Sequence, residues 1–451
     1  MWLSRYGATY KNILKLGLPL ILGQLGLIIT AFADTMMVGH YSTEALASAS
    51  FVNNLFNTPM MSIMGFTYGM TPLVGALFGA GRFDRIGCVL KNGLVVTGLF
   101  AAVVIGIMMW FYFNIGVLDP PAELLPLIRP YYLLYVVGLI PVALFGVFLQ
   151  WSYAINRTLF PTLLLLGANA FNIVGNYALI YGRWGFPEMG LTGAGISTLI
   201  ARTLPLAVMG MVFLLRKDWA VYREGFRSGL ITIKEMAGVN STSWPVALQL
   251  ALESGSFTLA AVMSGWIGKI PLASFQVIVV TGMLGFCVYY SVGNAVAIMV
   301  ANDRGRGDVH AMRRDAWGGY HIMLVFMLAA SLLFLTAGRR IMGLFTDDAA
   351  VLTASVALIV PLILYQLGDA TQITFSNALR GTSRVMPMLW IAFMAYVIAG
   401  VPAMYLLGFT ARLGVYGIVL SFSVSLFLAA ALFLYFFLDT LHNNSFNDTN
   451  E

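Results

Sequence analysis

Charge is scarce in this sequence. Only 10% of its 451 residues are Asp, Glu, Lys or Arg, while 59% are hydrophobic; soluble chains carry roughly 25% charged residues. No polar stretch between the apolar blocks is long enough to fold alone, which excludes a string of soluble domains and leaves a polytopic membrane protein. Cysteine is almost absent: Cys88 and Cys287 lie far apart within apolar stretches and offer neither a disulfide framework nor a metal-ligand spacing. Four scattered histidines give no His-rich site. No G-x-x-x-x-G-K-[ST], H-E-x-x-H or G-x-S-x-G string occurs, which argues against ATP-driven pumping and against the commoner hydrolases. No cofactor is expected. The net charge of +6 is no signal for nucleic acid, because its distribution follows the membrane.

Apolar blocks long enough to cross a bilayer run the whole length, and twelve spans are expected, from 13–38 to 413–437. The run beginning at Ile13 is too long for a signal peptide and reads as an uncleaved first span. Basic residues gather in alternate connections: Arg82, Arg85 and Lys91; Arg157; Arg216, Lys217, Arg223, Arg227 and Lys234; Arg304, Arg306, Arg313 and Arg314; Arg380 and Arg384. With Arg5, Lys11 and Lys15 they predict, by the positive-inside rule, an even number of spans and both termini in the cytoplasm of a bacterial inner membrane.

The halves repeat. Pro19, Gly39 and Pro161 recur as Pro245, Gly265 and Pro387; Gly81-Arg82-Phe83-Asp84 reads against Gly305-Arg306-Gly307-Asp308; and Gly190, Gly193 and Ser197 recur as Gly414, Gly417 and Ser421. The expected fold is therefore all-α: twelve transmembrane helices in two parallel-repeat six-helix bundles around a central cavity. Residues 1–215 form one lobe, 216–236 a cytoplasmic linker, 237–438 the other lobe, and 439–451 a polar tail, read as disordered from His442. Two such bundles can rock between inward-open and outward-open states, as secondary transporters do.

A charged group at mid-bilayer costs about 2.5–3.5 kcal/mol on insertion scales and usually faces a cavity or a partner. Asp34, Arg202, Glu253 and Asp369 are such groups. Gln249 and Glu253 are four apart and share a helix face, as do Tyr365 and Asp369. Two carboxylates with a phenol and amides suit either oxygen coordination of Na⁺ or exchange of a proton. Their repeat counterparts, Leu27 for Glu253 and Ala143 for Asp369, are apolar, which favours function over architecture. Asp34 reads as a site for a substrate cation, a coupling ion or a proton, with Arg202 as the nearest neutralising charge. Asn172, Asn176, Gln276, Tyr289, Asn294 and Gln372 are candidate cavity-lining groups; interhelical hydrogen bonding alone is the competing explanation for each.

Several strings then fall in a familiar order. Ala33-Asp34-Thr35-Met36-Met37-Val38-Gly39, Pro72 and Gly79, Asn176-Tyr177 through Tyr181-Gly182, Pro245 with Glu253, and Tyr365, Asp369 and Ala378-Leu379-Arg380-Gly381 together resemble the multidrug and toxic compound extrusion (MATE) family, in its NorM-like branch. That resemblance implies antiport: export of cationic or amphipathic drugs against Na⁺ or H⁺. It also implies a cation site at Glu253, Asp369 and Tyr365 and a coupling role for Asp34. The chain departs from the pattern at Gln150 and Ala154, where many relatives carry an Arg and an Asp. The expected partners are small organic cations or amphipathic drugs and membrane lipids, and the expected state is a monomer. The competing readings are a flippase for a lipid-linked sugar or amphipathic metabolite, and a membrane-embedded enzyme, for which no clustered acid, base and nucleophile is present.

Overall fold

The computed structural model describes residues 2–118 and 121–447, and no strand occurs among them. Its helices are α1 Trp2–Tyr41, α2 Thr43–Tyr68, α3 Met70–Gly79, α4 Phe83–Phe113, α5 Leu125–Ala154, α6 Leu159–Ile180, α7 Gly190–Leu215 and the short α8 Ala220–Ser228. Then come α9 Ile233–Ile267, α10 Lys269–Arg306, α11 Val309–Met342, α12 Ala349–Ala357, α13 Ile359–Gly381, α14 Met386–Ala392, α15 Val401–Tyr405 and α16 Gly414–Asn447. Among the described residues eleven helical segments are long and apolar enough to cross a membrane. A twelfth is obtained if α12 and α13, bent by 48° at their junction, make one span. The polar tail expected from His442 continues as helix to Asn447, and residues 448–451 lie outside the described residues.

The internal repeat is visible in the backbone. A left-handed residue costs an L-amino acid roughly 1–2 kcal/mol, so its position marks a turn that the fold requires. Such residues recur in register: Gly81 (φ 71°) with Gly307 (φ 74°), Asn156 (61°) with Ser383 (62°), Trp184 (56°) with Arg412 (56°), and Gly190 (54°) with Gly414 (60°). Four different side chains, those of Asn156, Ser383, Trp184 and Arg412, tolerate this strain at equivalent places, so the turn geometry is kept even where glycine is not. One correction follows. The sequence pairs Gly81 with Gly305, but the left-handed glycine is Gly307, which precedes Asp308, the N-cap of α11.

Two compact units are formed, one by residues 22–247 and the other by residues 1–21 with 248–451. Each boundary falls inside the first long helix of a repeat, two residues after an internal proline: Pro19 in α1 and Pro245 in α9. Proline removes one rung of the helical hydrogen-bond ladder, so a helix can change its packing partners there without further strain.

In the unit of residues 22–247 the linker helix α8 lies directly on α4. A Cβ on Gly87 would overlap the Tyr222 carbonyl, and one on Gly225 would overlap the Asp84 carbonyl. The contact is extended by Lys91 Nζ and Asn92 Nδ2, which donate to the carbonyls of Gly229 (2.9 Å) and Leu230 (3.1 Å). In the other unit the early turns of α1 are fixed to α11: Thr9 Oγ1 donates to Asp315 Oδ1 (2.8 Å), and Tyr10 Oη lies 3.1 Å from His321 Nδ1.

Candidate functional site

Each unit carries its own carboxylate cluster. In the unit of residues 22–247, Asp34 Oδ1 accepts a hydrogen bond from Asn176 Nδ2. The Asn172 amide, oriented to satisfy both neighbours, donates to the same oxygen (2.8 Å) and accepts from the Thr198 N–H (3.2 Å). The one-turn spacing of Asn172 and Asn176 on α6 puts both amides on the face towards α1, as expected of an i, i+4 pair. Arg202 of α7 does not close on the carboxylate as an ion pair among the described residues. Its guanidinium centre lies 4.4 Å from the ring centroid of Tyr135, whose hydroxyl accepts from Tyr131 Oη (3.3 Å). Asp34 is thus half-buried and bound by neutral amides, while Arg202 is held on an aromatic face. Gln150, one of the departures noted above, is buried and accepts from Thr71 Oγ1 (2.9 Å), a neutral interhelical contact.

In the other unit, Asp369 of α13 is buried and Glu253 of α9 half-buried. The two are near enough for their charges to interact. Gln372, three residues after Asp369 on α13, accepts at Oε1 from Tyr396 Oη (3.0 Å). Tyr365 stands one turn before Asp369 on the same helix. Two glycines of α10 make room for this set. A Cβ at Gly282 would meet Tyr365 Oη, and one at Gly285 would lie 3.0 Å from Gln366 Nε2 and 3.4 Å from Tyr289 Oη. Tyr289 Oη, both amide atoms of Gln366 and Gln249 Oε1 are buried without a protein hydrogen-bond partner. An orphaned polar atom costs about 1–3 kcal/mol, so several of them beside two acids mark a polar rather than a packing site. None of the ion pairs among the described residues involves Glu253 or Asp369. Nor do three His, Cys, Asp or Glu side chains converge there as metal ligands; a bound cation would take its remaining ligands from phenol and amide oxygens.

Two expected members lie elsewhere. Asn294 accepts from Arg380 Nη2 (2.7 Å) at the far end of α13, eleven residues and about 16 Å along the helix from Asp369. Gln276 is exposed on α10, some 20 Å along that helix from Tyr289. Tyr131, Tyr135, Thr198, Gln366 and Tyr396 were not singled out by the sequence. Only the one-turn spacing of Tyr131 and Tyr135 offered a cue. Tyr396 sits in a π-helical stretch, Phe393–Gly400, which turns it towards Gln372 off the ordinary 3.6-residue period.

The same arrangement of repeats appears in the family model for MatE, which matches residues 19–178 and again residues 245–406. The chain belongs to the MatE family. Both matched stretches begin at the paired prolines of α1 and α9. Among curated proteins this MatE chain is 27% identical over 436 residues to the "Probable multidrug resistance protein NorM" of Xylella fastidiosa, covering 95% of this chain and 92% of that protein. It is 26% identical over 420 residues to the "Multidrug resistance protein NorM" of Photobacterium profundum, at 90% of each. Among solved structures it resembles the eukaryotic MATE transporter AtDTX14, with a TM-score of 0.86 at 18% identity and cover of 98% and 99%. It also resembles the Vibrio cholerae MATE transporter VcmN, with a TM-score of 0.85 at 16% identity and the same cover. These two likenesses establish the twelve-helix MATE fold. With the family match they make the MatE chain a multi-pass membrane transporter, not an enzyme.

Proposed function

We propose that this chain is a multidrug exporter that expels cationic or amphipathic small molecules in exchange for Na⁺ or H⁺, by alternating access in the inner membrane with both termini cytoplasmic. The observation that carries the reading is the pair Glu253 and Asp369. Two interacting acids share one bundle, are surrounded by phenols and amides, and have no ion pair among the described residues. Like charges in low dielectric repel, so the pair lowers its energy by taking up one positive charge, whether a proton or a small cation. Asp34, with its amide partners, is the corresponding acceptor in the other unit. The names of the curated relatives support the substrate class.

Coupling requires that ion and drug differ in their affinity for the two access states. Each acid therefore has to exchange its cation with water in at least one of them. Ethidium efflux from cells expressing Glu253→Gln or Asp369→Asn is expected to fall towards the empty-vector level; undiminished efflux in both variants would exclude the assignment. Uptake into inverted vesicles under an imposed Na⁺ gradient, compared with an imposed pH gradient, identifies the ion.

A further inference from the structure

The connector between α7 and α9 joins two spans, so it lies at a membrane face by necessity. It is not a free loop. α8 is held on α4 by the Gly87–Gly225 approach, and its indole neighbour Trp219 is buried edge-on against Trp151 (5.1 Å between centroids). Arg223 Nη1 donates to the carbonyls of Phe213, Leu214 and Arg216, closing the end of α7. The orientation of the connector's outer face is therefore fixed by the fold.

The connector's exposed residues combine two properties. Leu230, Ile231 and Ile233 are 73%, 52% and 88% exposed, a cluster of bare aliphatic side chains within four residues. They are bracketed by Lys217, Arg227 and Lys234, all exposed and in no ion pair among the described residues. The local acids are mostly engaged elsewhere: Asp218 pairs with Arg216 (3.3 Å) and Glu235 with Arg85, which leaves Glu224 against three cations. Exposed aliphatic groups beside long basic side chains, on a backbone pinned at the level where two spans emerge, match the boundary between acyl chains and headgroups. The aliphatic groups can enter the boundary, and the basic side chains can reach the phosphates above it.

We propose that the 217–234 connector is a binding surface for anionic phospholipid headgroups, which seats the linker in the membrane interface through Leu230, Ile231 and Ile233 and holds it there through Lys217, Arg227 and Lys234. The acidic lipid is the occupant that the excess positive charge selects; a zwitterionic lipid satisfies the aliphatic groups but not the cations.

The test reads lipid contact and needs no transport. Ile231→Cys carrying a bimane label is placed in nanodiscs, with a parallel labelling of the chain retaining Ile231 to measure any reaction at the buried Cys88 and Cys287. Quenching by doxyl-labelled phosphatidylglycerol is compared with quenching by doxyl-labelled phosphatidylcholine at equal mole fraction. Local enrichment of the anionic over the zwitterionic quencher is expected to be roughly fivefold, the factor for a single basic side chain at the surface. It should collapse in the Lys217→Gln, Arg227→Gln, Lys234→Gln variant and fall at 1 M salt, where the Debye length is about 3 Å. Equal quenching by both lipids, or a preference that survives both treatments, overturns the proposal. Absence of quenching by either lipid overturns it too, because the label would then lie in water. Should the triple variant fail to fold, the salt series and Lys234→Gln alone decide the same question.

Discussion

Tyr396 acts on the acid site at one remove. Its hydroxyl donates to Gln372, three residues after Asp369 on α13, so the phenol fixes which way the amide faces without touching the acid itself. Removing the hydroxyl in Tyr396→Phe frees the amide to rotate, at a cost in stability of about 0.5–1.5 kcal/mol, the net worth of one ordinary hydrogen bond. The expected phenotype is a severalfold rise in the ion concentration needed for half-maximal drug transport, together with a small fall in melting temperature. A purely structural role for Tyr396 would lower the melting temperature and leave the ion dependence alone. Asp34 has the opposite arrangement, two amides bonded directly to it and a guanidinium held back on Tyr135.

Helices show what the sequence could and could not disclose. The common face of Asn172 and Asn176 was legible because one-turn spacing fixes it, but that this face meets Asp34 depends on how α6 packs against α1. The places of Gln276 and Asn294 were not, since α10 is apolar on nearly every side and no periodicity distinguishes the face that meets α13. Tyr396 was hidden for a different reason: a π-helical stretch breaks the period on which such readings depend. The choice between Gly305 and Gly307 turned on φ, which two neighbouring glycines do not reveal in one dimension. The approach of α8 to α4 was likewise invisible, because Gly87 and Gly225 matter only once both backbones are placed. Gly225→Ala is expected to destabilise the protein by about 1–3 kcal/mol, in the range for overpacking a filled contact. Gly210→Ala in α7, where an added methyl meets nothing within 4 Å, serves as the comparison. Equal melting temperatures for the two variants in detergent would show that the α4–α8 contact is loose.

At the scale of the whole molecule, the division into units does not follow the division into repeats. Residues 1–21 belong with 248–451, and the start of α9 belongs with the earlier residues. Thr9→Val should therefore be felt far away in sequence. It strips Asp315 of a donor, a loss of about 1–3 kcal/mol for a buried acceptor. Amide hydrogen exchange is expected to quicken in α11, with α4 and α5 unaffected; uniform acceleration, or none, would contradict the placement of α1.

This division has a consequence for synthesis. Residues 22–247 contain nearly all of their own packing partners by the time α9 is half made, so that unit can close early. The opening turns of α1, already translated, have nothing to settle against until α11 and its neighbours emerge from the ribosome. The opening turns of α1 must therefore wait through the making of more than two hundred later residues before they find their place.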